Sequence, residues 1–160
     1  ERLSYNLLHN GTVDSQGMLS LNLDPNRPVH EQVDMLRYDP GFEVAREDID
    51  LGQILGVGAF GQVRKAKVFG LKKVPEAYRG MIGEVNQCGI TVAVKTLKNC
   101  ASMEQLKSLL SELKTLNYIG RHVNIVNLLG ACTANLIQGQ LFVIVEYFCL
   151  FIFLYRYIEI

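Results

Sequence analysis

The chain has 160 residues, 49% hydrophobic and 20% charged, which is enough to bury one modest core and too little for a second full domain. Sixteen basic and sixteen acidic residues cancel, so nothing points to a nucleic acid or an acidic membrane surface as partner. Cys88, Cys100, Cys132 and Cys149 lack C-x-x-C spacing, so neither a zinc cage nor a small disulfide framework is indicated, and reduced, cytosolic thiols are the plain reading.

Glu1-Arg2-Leu3-Ser4 opens the chain without Met, an apolar signal core or a cleavage site, so the expectation is an internal piece of a longer protein. Residues 1–48 carry turn signals at Asn10-Gly11, Asp24-Pro25-Asn26, Arg27-Pro28 and Asp39-Pro40-Gly41, and no long periodic stretch. They read as a linker or a segment that leans on another surface. Asn10-Gly11-Thr12 is a formal glycosylation sequon that matters only in the secretory lumen, whereas the remainder reads as cytosolic.

The texture changes at Ile49, where Ile49-Asp50-Leu51-Gly52-Gln53-Ile54-Leu55 alternates as a strand does and leads into Gly56-Val57-Gly58-Ala59-Phe60-Gly61-Gln62-Val63. Glycines at the first, third and sixth positions let backbone N–H groups approach phosphate without side-chain clash. The same spacing occurs in dinucleotide-binding folds, but there a helix must follow. Here Val63-Arg64-Lys65-Ala66-Lys67-Val68-Phe69 has no N-cap residue and suits a strand, so the loop is expected to join two antiparallel strands. That context favours a phosphate lid of the kinase kind.

From Phe69 to Gly89 the chain reads as an exposed connection, with Gly70, Pro75, Gly80 and Gly83 among mixed charges. Ile90 to Leu97 is a β-branched strand in which Val92 and Val94 share one face, and Ala93 and Lys95 the other. Room for a flat base at Ala93 and a cation for phosphates at Lys95 is what a nucleotide pocket requires. A solvent-facing lysine on a half-buried strand is the competing reading, and the glycine loop upstream tips the balance toward the pocket.

Ser102-Met103-Glu104-Gln105 has the form of a capping box, followed by apolar residues at Met103, Leu106, Leu109, Leu110, Leu113 and Leu116, which predicts a helix from about Met103 to Leu116. At about 100° per residue these form one stripe, with Lys107 and Lys114 flanking one side and Glu112 the other. Glu112 is therefore placed to reach under the sheet and pair with Lys95; a solvated glutamate is the alternative. Gly120 ends the helix, and His122 and Asn124 are expected to satisfy loop backbone groups, His122 as a structural and not a catalytic residue. Leu141-Phe142-Val143-Ile144-Val145-Glu146-Tyr147 reads as a further strand, whose exposed backbone can hydrogen-bond an adenine edge.

Glycine loop, V-A-V-K, S-E-L in a helix and V-I-V-E-Y, in that order, resemble a protein kinase N-terminal lobe, and specifically a receptor tyrosine kinase of the platelet-derived and vascular endothelial growth factor receptor class. Leu36-Arg37-Tyr38-Asp39, Phe42-Glu43, Arg46, Asn124 to Cys132 and Leu141 to Tyr147 are similar to that class, across about 110 residues. The resemblance implies an α+β lobe, a five-stranded antiparallel sheet with one major helix, over residues 49–149. It implies a juxtamembrane-like segment at 1–48 and leaves 150–160 as a divergent apolar tail. Position by position it implies that Leu55, Gly56, Val57, Gly58, Ala59, Phe60, Gly61 and Val63 cover the nucleotide. Leu55, Val63 and Ala93 would sandwich adenine, Lys95 would contact phosphate and Glu112 would anchor Lys95. Val145 falls at the gatekeeper position, and the backbones of Glu146 and Phe148 at the hinge. Tyr38 becomes a candidate regulatory phosphorylation site able to release its segment or recruit an SH2-type adaptor, with a packed structural tyrosine as the alternative. ATP and Mg²⁺ are the implied cofactors, and protein substrates and a receptor dimer partner the implied partners. The implied location is the cytoplasmic side of the plasma membrane in a single-pass receptor.

The chain departs from the class in two respects. It carries no H-R-D-x-x-x-x-N, D-F-G or A-P-E, so it holds no catalytic base and no metal ligand, and as written it is not expected to transfer phosphate. Leu150 to Ile160 is apolar and aromatic where the class has a glycine and a polar residue before a helix, which reads as intron or mis-spliced sequence after about Cys149. Leu141 to Ile160 has the length of a membrane span, but Glu146 inside it and Arg156 and Glu159 near its end argue against one. Two functions follow: the ATP-binding half of a receptor tyrosine kinase, or a truncated non-catalytic lobe acting as an interaction module.

Overall fold

A computed structural model describes Leu8 and residues 23–59, 61–73, 89–98 and 101–147. Five strands form one antiparallel sheet in the order β1-β2-β3-β5-β4: β1 (Ile49–Val57), β2 (Gly61–Val68), β3 (Ile90–Leu97), β4 (Leu128–Cys132) and β5 (Phe142–Glu146). One long helix, α1 (Met103–Ile119), packs on the sheet, and short 3₁₀ turns fill the segment before β1. This is the expected lobe: one major helix and a five-stranded antiparallel sheet. The described part of the Leu141–Ile160 run is a sheet strand, and no helix among the described residues is long and apolar enough to cross a membrane.

Period-2 alternation divides the core into two layers. Val92, Val94 and Ile144 point to one face, with Ile49, Ala66, Val68, Leu129 and Cys132. Leu97 and Val143 point to the other, where Leu106, Leu109, Leu110 and Leu113 of α1 cover them. In β4 a register shift between Leu128 and Gly130 inserts one residue, so Leu128 and Ala131 both face the helix while Leu129 and Cys132 face away.

Helix α1 starts as predicted. Ser102 Oγ accepts the Gln105 N–H at 3.2 Å and Gln105 Oε1 accepts the Ser102 N–H at 2.9 Å, which closes the capping box. It runs three residues past the predicted end, because the stop is Gly120 itself, at φ 70°, whose N–H donates to the Leu116 carbonyl. Two stripe assignments are corrected. Met103 is half exposed at the first helical position, so the buried stripe begins at Leu106. Lys114, expected beside the stripe, is buried, because the segment before β1 covers that side of the helix and Asp34 offers its carbonyl to Lys114 Nζ at 3.4 Å. Burial holds the Lys114 ammonium below the usual lysine range.

The segment before β1 is packed down. Leu36, Tyr38 and Val44 are buried, Tyr38 in the helix-side layer and Val44 in the other. Residues 1–7 and 9–22, most of the 69–89 connection, the sequon and the apolar tail lie outside the described residues.

Candidate functional site

The glycine segment bridges β1 and β2 as an antiparallel connection, with Gly56 opposite Val63, Val57 opposite Gln62 and the Gly58 N–H donating to the Gly61 carbonyl at 2.9 Å. Two of its glycines do different things. A Cβ on Gly61 would lie 2.6 Å from the Thr96 carbonyl oxygen, so glycine is required there for β2 to close onto β3. A Cβ on Gly56 would meet nothing within 4 Å, so that position leaves open space over the sheet. Leu55 is partly buried at a register irregularity, Ala59 is exposed, and Phe60 lies outside the described residues. Val57 is exposed and, next to Gly56 in the strand, takes the opposite face, so it offers this site its backbone alone.

Registers bring the remaining strand residues into two rows on the helix side. Val63 pairs with Lys95, and Lys95 with Val143; Lys65 pairs with Ala93, and Ala93 with Val145. Directly opposite residues share a face. Val63, Lys95, Ala93 and Val145 therefore line one surface, with a small residue at Ala93 beside the cation. Val63 and Val145 are half-buried and Ala93 is buried.

Helix α1 delivers Glu112 to this surface. Its Oε2 accepts from Lys95 Nζ in an ion pair that joins the middle of β3 to the middle of the helix, and both side chains remain partly exposed. A lysine fixed by a carboxylate has lost rotamer freedom before any ligand arrives, yet it has solvent-facing surface through which an anion can approach.

At the end of β5 the Glu146 carboxylate does not reach into the site. It is buried and accepts from the Asn127 N–H at 3.2 Å and Asn127 Nδ2 at 2.8 Å, while the Glu146 N–H donates to the Asn127 carbonyl at 3.1 Å. Asn127 Oδ1 also accepts the His122 N–H at 2.9 Å. Asn127 belongs to no motif, and its one signal in the sequence is a polar residue inside the apolar run Ile125-Val126-Asn127-Leu128-Leu129. His122 is structural in geometry, its Nδ1 accepting the Asn124 N–H at 3.1 Å. Asn127, and not the Asn124 side chain expected, completes that loop. Tyr147 lies beneath Lys65, whose Nζ is 5.2 Å from the ring centroid, and Phe148 lies outside the described residues.

Tyr38 packs in the helix-side layer with the α1 leucines. It is 3% exposed and its hydroxyl donates to Glu43 Oε2 at 2.9 Å; burial, then the Glu43 carboxylate, push its phenol well above the usual tyrosine range. Among the described residues no group of three or more His, Cys, Asp or Glu side chains can hold a metal ion.

A family model described as protein tyrosine and serine/threonine kinase matches residues 49–157. The chain belongs to that kinase family. Within it the similarity lies with the vascular endothelial growth factor receptors. The chain is 50% identical to vascular endothelial growth factor receptor 1 of Gallus gallus over 131 residues, 81% of this chain and 9% of that receptor. It is 47% identical to vascular endothelial growth factor receptor 1 of Homo sapiens over 131 residues, with the same coverage of each chain. It is 46% identical to vascular endothelial growth factor receptor 3 of Danio rerio over 133 residues, 82% of this chain and 9% of that receptor. The chain thus spans about a tenth of the length of the curated relatives it matches, and what it holds of the kinase is the lobe described above.

Proposed function

We propose that this chain is the ATP-binding half of a receptor protein tyrosine kinase which, when complete, transfers the γ-phosphate of ATP to tyrosines on itself and on partner proteins. The observation that carries the reading is the Lys95–Glu112 ion pair, held under the open space at Gly56. The residues present fit a nucleotide. The adenine lies against Leu55, Val63, Ala93 and Val145, the glycine loop covers the phosphates from Gly56 to Gly61, and Lys95 takes the α and β phosphates with Glu112 behind it. At Glu146 the backbone N–H is taken by Asn127, so a base contact at this residue falls to its carbonyl. By the similarity to the receptor kinases, Phe148 is the neighbouring hinge position.

Bound ATP supplies the transferable phosphoryl group; the residues of this lobe hold and orient it and neutralise part of its charge. Mg²⁺ is the accompanying metal of such kinases. Its ligands belong to the D-F-G and catalytic-loop motifs, which this sequence does not carry, so no metal-dependent step is assigned to these residues. Tyrosine as acceptor, a receptor dimer partner and a plasma-membrane location with this segment cytoplasmic are taken from the similarity to the growth factor receptors. Tyr38 is proposed as a regulatory phosphorylation site and SH2-type docking site. Because it is buried against Glu43, its modification requires the segment to lift, and the added phosphate charge then opposes return beside that carboxylate.

The test is Lys95→Met in the whole receptor that carries this chain. Autophosphorylation is expected to disappear while expression stays near that of the parent. Retained phosphotyrosine at parental expression would show that Lys95 does not have the assigned role.

A further inference from the structure

A second lysine belongs to the nucleotide face. Lys65 is opposite Ala93, and Ala93 is opposite Val145, so the three form one row across β2, β3 and β5. Directly opposite residues share a face, which places Lys65 on the surface of Val63, Ala93 and Val145. It lies two residues beyond Val63 along β2, on the side away from the glycine loop.

The Lys65 ammonium rests on an aromatic ring. Its Nζ is 5.2 Å from the centroid of Tyr147, inside the distance at which a cation is held by a ring face. Tyr147 follows β5 directly and stands two positions after Val145, so it continues the same face. Since β3 lies between β2 and β5, and adjacent strands are about 4.8 Å apart, the contact joins backbones about 10 Å apart. The route crosses β3 at Ala93, the smallest side chain of the row, and a larger residue there would stand in its way. Lys65 and Tyr147 are half-buried, and Ala93 between them is buried. A lysine whose head is held at a distance lays its methylene stem along the surface beneath it.

We propose that Lys65 is a further nucleotide-binding residue, whose stem extends the apolar roof that Val63 and Ala93 make over the base, and that Tyr147 is the positioning residue that holds it there. The two lysines of this face then have different tasks. Lys95, oriented by a carboxylate, meets the phosphates; Lys65, oriented by an uncharged ring, walls the base on the side away from them. The inference deepens the ATP reading and rests on it.

The readout is KM for ATP and kcat of the whole receptor that carries this chain, on a tyrosine-containing peptide. Lys65→Ala removes stem and head, and is expected to raise KM about tenfold with kcat within about twofold of the parent. Lys65→Met keeps most of the stem without its anchor, and Tyr147→Leu removes the ring; each is expected to raise KM about threefold. Tyr147→Phe, which keeps an aromatic face, should recover most of the Tyr147→Leu loss. Combining Lys65→Met with Tyr147→Leu should cost no more than the worse of the two, because both remove one contact. Inhibition by tripolyphosphate, which carries phosphate charge and no base, should be the same in the parent and every variant. Should Lys65→Ala fail to fold, Lys65→Met and Tyr147→Leu decide. Unchanged KM in the Lys65 variants, additive losses in the double variant, or tripolyphosphate weakened as much as ATP overturns the proposal, the last by making Lys65 a counter-charge for phosphate. A parent whose activity does not saturate with ATP contradicts the ATP reading and this inference with it, whereas saturation in the parent with no response to Lys65→Ala contradicts this inference alone.

Discussion

Lys95 and Glu112 lie 17 positions apart and come from different elements, and each is explained by its local alternation: Lys95 by its place on the Ala93 face of β3, Glu112 by its place at the edge of the α1 stripe. With both partners partly exposed, the pair is a weak source of stability and is better understood as a device for orientation. It follows that Glu112→Gln should reduce kinase activity of the whole receptor less than Lys95→Met, since the amide still reaches the lysine and only positioning is weakened. Equal activity of the glutamine variant and the parent in an autophosphorylation assay would count against the pair. Tyr38 supplies a second residue-scale prediction. Its folded-state pKa is raised, so below the unfolded value near 10 the phenol is neutral in both states and contributes no pH dependence. Above pH 10 the unfolded chain releases the proton first, so stability falls as pH rises. Urea denaturation at pH 9 and at pH 11 should show this fall in the parent and a smaller one in Tyr38→Phe; identical slopes would contradict the burial of the ionisable phenol.

At the scale of the element, α1 is the part that turns composition into a site. The capping box sets where it starts, Gly120 sets where it stops, and Leu113, fully buried between helix and sheet, sets its depth. Leu113→Ala should cost about 2–5 kcal/mol of unfolding free energy and also weaken nucleotide binding, because the helix that carries Glu112 loses its seat. Loss of the Ser102 cap by Ser102→Ala should cost about 1 kcal/mol and leave the site intact. Chemical denaturation checks both, and a Leu113→Ala variant as stable as the parent would contradict the packing described. The helix was legible because start, stripe and stop agree with one another. Burial of Lys114 was not legible, since what covers it comes from a segment about 80 residues earlier, whose own pattern is turns. Asn117 and Asn127 escaped for the same reason: amide side chains that bind groups far along the chain, the Arg37 and Asp39 peptides for Asn117 and the Glu146 carboxylate for Asn127, leave no periodic trace.

For the whole molecule, the five-stranded lobe could be read because its motifs fall on different elements in a fixed order, and the strand registers then bring Val63, Lys95, Ala93 and Val145 to one face. Sequence alternation supplied the faces but not the pairings, which depend on long-range contacts such as Ala93 with Val145. The segment before β1 had the opposite character. Its turn signals were plain, while its burial, with Tyr38 among the α1 leucines and Val44 beside Leu129 and Cys132 of β4, depends on surfaces provided by those distant elements.

The most direct test of the central claim, that Lys95 faces the phosphates of a bound nucleotide, is labelling with an acyl phosphate of ATP. In that reaction the lysine amine attacks the acyl carbonyl, ATP departs, and a stable amide remains on the nitrogen. The account predicts acylation at Lys95, found by mass spectrometry of the digested protein, that excess free ATP suppresses. Absence of label at Lys95, or label there that ATP does not compete away, would contradict it.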